Sequence, residues 1–369
     1  MSFAYALIAI LGLAVLMVVH EGGHYLAARR FGMRVTKFSI GFGPTLWKHR
    51  AKGSPTTFQI AIIPFLAYVQ IAGMNPYEDS DPKDPSSYAN ASLWGRIVTI
   101  SAGPLANYFF ASVLIFFAYL LGGNPVSDEA SMRVHVAPSG PAAQAGLVDG
   151  DKILTVNGDA VKDWDMLKKA IGAHPGDKID IEVERELKSP EPAGKQTLHL
   201  FATPNADGDM KGKILVGPET RIEPVGVGQA AILSIKKPPK VVYELVKGLA
   251  RMVAGKEKPE LSGPVGIVRE VGNAAKDGAH TYLMLLGLLS AYLGGFNLLP
   301  FPALDGGRLL FLGFEAASRR KADAKIEAKV HAVGLLMFLT LIAVVTYTEV
   351  IPKRSSTSDE PAKTAPAPK

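Results

Sequence analysis

The chain has 369 residues, 48% of them apolar, a formal net charge of +6 and no cysteine. This length leaves room for two or three units, and the apolar share is high for a wholly soluble protein. Without cysteine there are no disulfides, thiolate nucleophiles or Cys-ligated zinc, and the positive charge sits in loops beside apolar runs, so no nucleic acid is needed to explain it.

The apolar residues are clumped, and a hydrocarbon core roughly 30 Å thick demands about 18 or more of them in a row from a spanning helix. Four stretches are candidates. The first runs from Ser2 to Val19 and continues through His20 to Ala28, stopping at Arg29 and Arg30. It lacks a basic region ahead of it and runs into a polar cluster, which predicts a retained helix and not a cleaved signal peptide.

At the inner end of this helix stands His20-Glu21-Gly22-Gly23-His24, an H-E-x-x-H sequence. Positions i and i+4 share a helix face, so both imidazoles can reach one tetrahedral ion while Glu21 acts on its bound water. Ionisable groups at such depth cost free energy unless paired or hydrated, which makes them functional candidates. The plain alternative is that they snorkel to the inner surface.

Farther on, Thr57-Phe58-Gln59-Ile60-Ala61-Ile62 has strand propensity, and Pro64 followed by Tyr68 to Ile71 predicts a bent hairpin dipping into the inner leaflet. The second apolar stretch, Ile97 to Leu121, is bounded by Arg96 and by the turn residues Gly122 to Pro125. Between Val134 and Pro204 the pattern becomes that of a soluble domain, with β-like runs such as Ile153 to Val156 and Ile179 to Val183, a helical stretch from Trp164 to Ile171 and a last strand near Leu198 to Ala202. His135, His174 and His199 lie here without ligand spacing and read as surface or packing residues. Val241 to Val253 puts Val242, Leu245, Leu249 and Met252 on one face, as an amphipathic helix would.

The third apolar stretch starts near Thr281 and stays uncharged until Asp305, at the end of Asn297-Leu298-Leu299-Pro300-Phe301-Pro302-Ala303-Leu304-Asp305-Gly306-Gly307. A catalytic zinc needs a third protein ligand and an open position, and Asp305 is the acidic residue at the edge of these apolar segments. Two neutral imidazoles and one carboxylate leave the site at +1, and zinc-bound hydroxide makes it neutral, which a low dielectric favours. Pro300 and Pro302 interrupt helical hydrogen bonding, tolerated at membrane depth where protein or a wet cavity satisfies the backbone. The fourth stretch is Ala332 to Val350, and from Ser355 the composition predicts a disordered tail.

Lys and Arg set the orientation. Arg29, Arg30, Arg34, Lys37, Lys48, Arg50 and Lys52 follow the first helix, and Arg308, Arg319, Arg320, Lys321, Lys325 and Lys329 precede the fourth. The positive-inside rule turns both connections to the cytoplasm and leaves 122–280 outside.

The order of Ser139-Gly140-Pro141 through Asp159-Ala160-Val161, the helical stretch from Trp164 to Ile171, the run His174 to Arg185 and the final strand near Leu198 to Ala202 resembles a PDZ domain, whose turns fall at Gly146, Gly150-Asp151 and Asn157-Gly158. That likeness implies either peptide capture by sheet extension or a steric gate. The whole order, with H-E-x-x-H, Gly103-Pro104-Leu105-Ala106-Asn107, the PDZ-like stretch, Leu261-Ser262-Gly263-Pro264-Val265-Gly266-Ile267 and N-x-x-P-x-P-x-L-D-G-G, resembles the bacterial site-2 proteases of regulated intramembrane proteolysis. The resemblance implies zinc bound by His20, His24 and Asp305, Glu21 as catalytic base and Asn297 in contact with substrate, with Asn107, Pro302, Tyr68 and Val69 as further substrate-binding candidates. It also implies transmembrane proteins or peptides as substrates, such as an anti-sigma factor or a remnant signal peptide, and the bacterial inner membrane as the location.

Two departures from the family pattern stand out. Relatives usually carry a bulky residue where Gly22 stands, so this turn is either looser or packed closely by another backbone, and many carry a glycine pair where Ile63-Pro64 precede Phe65. The expected architecture is a polytopic α-helical membrane protein with about four spans, a membrane-associated β-hairpin region and one extracytoplasmic PDZ-like α+β domain. Its segments are 1–122, a first membrane half; 123–208, the PDZ-like domain; 209–279, a linker with the amphipathic helix; 280–352, a second membrane half; and 353–369, the tail. A membrane-bound peptide-binding or chaperone-like protein with a vestigial metal site is the competing expectation.

Overall fold

The computed structural model describes residues 2–350 apart from 78–80, 82, 139, 187–194, 204, 207–211 and 256–262; the expected tail and the Leu261-Ser262 start of one motif lie outside the described residues. In chain order the first elements are α1 (Phe3–Arg30), β1 (Val35–His49), β2 (Thr57–Ile71), α2 (Leu93–Gly122), β3 (Asn124–Ser127), β4 (Val134–Val136), α3 (Pro141–Gln144), β5 (Lys152–Val156), β6 (Asp159–Ala160) and α4 (Trp164–Gly172). Then follow β7 (Ile179–Glu186), β8 (Lys195–Ala202), β9 (Asn205–Ala206), β10 (Gly212–Lys213), β11 (Val216–Pro218), β12 (Thr220–Glu223), α5 (Val227–Val253), α6 (Pro264–Asp277), α7 (Ala279–Asn297), α8 (Asp305–Ser318) and α9 (Ala324–Val350). The chain forms two units, one of residues 1–114 and 260–369 and one of residues 115–259.

Among the described residues, four helices are long and apolar enough to cross a membrane: α1, α2, α7 and α9. Their centres match the four apolar stretches, and the ends differ for a physical reason. Helices continue past the hydrocarbon into charged turns, so α1 ends on Arg29 and Arg30, cations that suit the negative end of its dipole, and α9 begins at Ala324, ahead of Lys325, Glu327 and Lys329. α7 stops at Asn297; the proline-containing loop 298–304 follows, and Asp305 opens α8.

In the first unit, Ala9 and Leu16 of α1, Leu114 of α2, Val271 of α6 and Leu286 of α7 form one buried cluster. A second gathers Ala28, Met33, Val35, Ile71, Tyr88, Ile100 and Leu312, joining the end of α1 to β1, β2, α2 and α8. Arg96 of α2 grips Glu315 of α8 with two hydrogen bonds of 2.9 and 2.5 Å, both side chains nearly buried. A buried pair of this kind orients α8 more than it stabilises it. α9 is held at its two ends, where Glu349 accepts from the backbone N–H of Gly263 at 2.6 Å and Arg308 lies 3.5 Å from Glu327.

β1 falls in the basic connection expected after the first helix. It pairs antiparallel with β2, and both strands fold back on themselves: Phe38 faces Val69 on one side and Phe58 on the other, while Phe58 also faces His49. The register therefore runs 45–49, 57–61, 35–40 and 67–71 across the sheet. Gly41 and Gly43 make the bend in β1 with φ of +92° and +90°, and a Cβ on Gly41 would sit 2.7 Å from the Ala61 carbonyl oxygen, so only glycine fits there. Phe42, Leu46, Trp47, Ile60, Ile62 and Ile63 are exposed on this sheet.

The second unit has its own core, in which Val134, Leu147, Ile153, Val156, Trp164, Leu167, Ile179, Ile181 and Val183 are buried. A four-stranded antiparallel sheet in the order β6-β5-β7-β8 carries it. Asn157 and Gly158, both at positive φ, make the two-residue turn between β5 and β6. Asp151 is buried and takes two 2.7 Å hydrogen bonds from Arg185, which ties the Gly150 turn to β7. His135, His174 and His199 each lie near a carboxylate, of Asp149, Asp177 and Asp180. β11 pairs with β4, β12 pairs with β3, and Ile214 is buried in this core. α5 begins earlier than the amphipathic stretch implies and runs through Pro238 and Pro239.

Candidate metal centre and catalytic residues

α1 carries His20 and His24 on one buried face, one turn apart, with ring centroids 4.8 Å from each other. Asp305 joins them from the first position of α8. His20 Nε2 lies 3.1 Å from Asp305 Oδ2, His24 Nε2 lies 3.3 Å from the same oxygen, and the two Nε2 atoms are 3.2 Å apart. Zinc bonds of about 2.0–2.1 Å in tetrahedral geometry place any two ligand atoms about 3.3 Å apart. The three measured edges have that size. Asp305 Oδ2 is buried and has no hydrogen-bond partner, which is costly for an oxygen unless a cation satisfies it. Among the described residues, this is the one group of three His, Asp or Glu side chains arranged so that they could hold a metal ion.

The supports of the trio come largely from α2. His24 Nδ1 lies 2.8 Å from the carbonyl oxygen of Thr99, to which it donates, so Nε2 turns toward Asp305. His20 Nδ1 lies 3.3 Å from the Asn107 amide, and Asn107 is wholly buried. Such close approach needs small residues: a Cβ on Gly103 would collide with the His24 imidazole, and one on Gly294 of α7 would come 2.7 Å from the Pro104 carbonyl oxygen.

The two glycines between the histidines have different surroundings. A Cβ on Gly23 would run into the backbone carbonyl of Ala102, whereas one on Gly22 meets nothing within 4 Å. Close backbone packing therefore accounts for Gly23, and Gly22 is simply open. Gly23→Ala is expected to lower the midpoint of thermal unfolding and reduce hydrolysis, since overpacking costs about 1–3 kcal/mol and the displaced α1 carries both histidines. Gly22→Ala is expected to keep the wild-type midpoint or raise it, as alanine gains about 1 kcal/mol in a helix interior. Thermal unfolding of the two variants in detergent checks the contrast; equal losses would contradict it.

Asp305 is presented by a constrained loop. Ala303 has φ of +76°, a left-handed conformation costly for a residue with a Cβ. Its N–H donates to His331 Nδ1 of α9 at 3.0 Å, and a Cβ on Gly306 would clash with the carbonyls of Leu298 and Leu299. His331 escaped the sequence reading; its signal was a lone imidazole near the start of the fourth apolar run.

The other expected site residues are spread around the trio. Glu21 follows His20 on α1, with the backbone of Val69 near its carboxyl. Tyr68 stands beside Val69, its hydroxyl 3.4 Å from Gln59 Nε2. Asn297 ends α7 and donates back to the Leu293 carbonyl at 2.9 Å, and Pro302 lies under Gly334 of α9. Asn107 lies wholly buried beside His20.

The sequence model of peptidase family M50 matches residues 8–341. A protein named as a zinc metalloprotease in Nostoc sp. is 32% identical over 348 residues, covering 91% of this chain and 93% of its own. The zinc metalloprotease RasP of Geobacillus kaustophilus is 30% identical over 419 residues, covering 91% and 95%. The regulator of sigma-W protease RasP of Bacillus subtilis is 28% identical over 415 residues, again covering 91% and 95%.

Proposed function

The chain belongs to peptidase family M50 and is a multi-pass membrane zinc metalloprotease, and on that premise we propose that it is an intramembrane endopeptidase cutting the membrane-spanning segments of other proteins, as site-2 proteases do. The observation that carries the reading is the trio itself, three ligand atoms 3.1–3.3 Å apart on a spanning helix and the loop that follows another. In this reading His20, His24 and Asp305 hold the zinc. Bound there, it supplies Lewis-acid polarisation of the scissile carbonyl and acidifies the attacking water. Glu21 takes the proton from that water and passes it to the leaving amine nitrogen.

A substrate helix hides its carbonyls in its own hydrogen bonds and must unwind before attack, leaving backbone groups that need partners. Segment 67–71 is at the edge of the folded sheet and lies beside Glu21, which supports it as the strand that receives the unwound peptide, with Tyr68 and Val69 in that edge and Asn297 and Pro302 as further contacts. The exposed apolar residues from Phe42 to Ile63 suit a sheet lowered into the bilayer.

By the positive-inside rule the basic connections 29–52 and 308–329 are cytoplasmic, which puts the second unit on the opposite side of a bacterial inner membrane. Its β6-β5-β7-β8 sheet with two short helices supports a PDZ-like domain that either captures peptide or bars large substrates. Anti-sigma factors and remnant signal peptides are fitting substrates, the former in keeping with the name of the Bacillus relative. The converging trio favours this enzyme over an inactive peptide-binding protein.

The test is cleavage of single-span reporters by the purified protein in liposomes. A reporter with Gly or Pro near the cut is expected to be hydrolysed at least several-fold faster than one with an uninterrupted Leu helix. Equal rates would remove the edge-strand clamp, and no cleavage of either by the zinc-loaded protein would remove the intramembrane activity.

A further inference from the structure

We infer that Asn107 is a positioning residue for His20, its amide oxygen accepting the Nδ1 proton and thereby fixing which ring nitrogen faces the metal. This rests on the reading of His20, His24 and Asp305 as zinc ligands.

His20 turns Nε2 toward Asp305 Oδ2 and His24 Nε2, at 3.1 and 3.2 Å, so Nε2 is the atom that faces the metal position. A ligating Nε2 must offer a lone pair, so the ring's proton resides on Nδ1 and needs an acceptor. For His24 the acceptor is a backbone carbonyl, that of Thr99. For His20 the group in reach is the Asn107 side chain, 3.3 Å from Nδ1.

Asn107 is wholly buried, and its Oδ1 has no hydrogen-bond partner. An amide is nearly symmetric in shape, so a half-turn about Cβ–Cγ exchanges nitrogen for oxygen without moving a neighbour. That exchange sets the amide oxygen against the Nδ1 proton, the acceptor that a ligating Nε2 requires. Neighbours on α7 hold the residue in place, as Ser290 donates to the Asn107 carbonyl at 2.8 Å and Gly294 one turn later lets α7 close over its Cβ. The family resemblance implies substrate contact for Asn107; its surroundings point to support of a metal ligand.

The experiment measures zinc affinity of the full-length protein in detergent by competition with a coloured chelator. Asn107→Leu keeps the size and removes the acceptor; Asn107→Asp keeps the acceptor; Asn107→Ala serves if the leucine variant does not fold. Leu and Ala variants are expected to bind zinc about 10- to 100-fold more weakly, with Asp within a few-fold of wild type. At saturating zinc the Leu variant is expected to keep its KM for a reporter. Wild-type zinc affinity in the Leu or Ala variant, an equal loss in Asp and Leu, or a raised KM with zinc affinity intact would each overturn the role. His24→Ala is the separate control: if it holds zinc as wild type does, the ligand assignment itself is at fault.

Discussion

Glu21→Gln is expected to slow peptide hydrolysis by about 10²- to 10⁴-fold, the usual worth of a general base, while leaving zinc content unchanged. The amide has the shape of the carboxylate, so the substitution removes proton transfer and little else. Glu21 lies between the two histidines on α1 but outside the trio, and losing its charge does not remove a ligand atom. Metal analysis and single-turnover cleavage on the same preparation check both halves. Hydrolysis within tenfold of wild type would remove Glu21 from the mechanism. Loss of zinc would instead make it a ligand.

The second large effect is on metal binding. Asp305→Ala leaves two imidazoles around a dication in a site of low dielectric, where an uncompensated charge is expensive. Zinc is expected to fall from near-equimolar to a small fraction of the chains. A ligand that binds only the folded state stabilises it, by about 2.7 kcal/mol when present at 100 times its Kd. Chelation should therefore lower the unfolding midpoint of wild type and leave that of Asp305→Ala unmoved. A chelator shift of equal size in both would show that the carboxylate is not part of the site.

The chemistry was largely legible in the residues, since H-E-x-x-H needs only helical spacing to put two imidazoles on one face, and Asp305 was the acid at the edge of the other apolar runs. What supports that chemistry was not. Thr99 acts through its carbonyl, an atom every residue owns. Gly23 and Gly22 look alike in sequence, and only the position of Ala102 separates a required glycine from an incidental one. β1 was hidden because Arg34, Lys37 and Lys48 marked it as a cytoplasmic connection, and its fold-back depends on Gly41 and Gly43 at positive φ. Strands 216–218 and 220–223 pair with residues some 80 to 100 positions earlier, a long-range register that local pattern does not encode.

The zinc centre is tested most directly by X-ray absorption at the zinc edge of the full-length wild-type protein. Two imidazole nitrogens and light oxygen ligands at about 2.0–2.2 Å are expected, as for a mixed His and carboxylate site, with the spectrum lost or altered in Asp305→Ala. A single imidazole, or a wild-type spectrum in the Asp305→Ala protein, would contradict the convergence of His20, His24 and Asp305 on one ion.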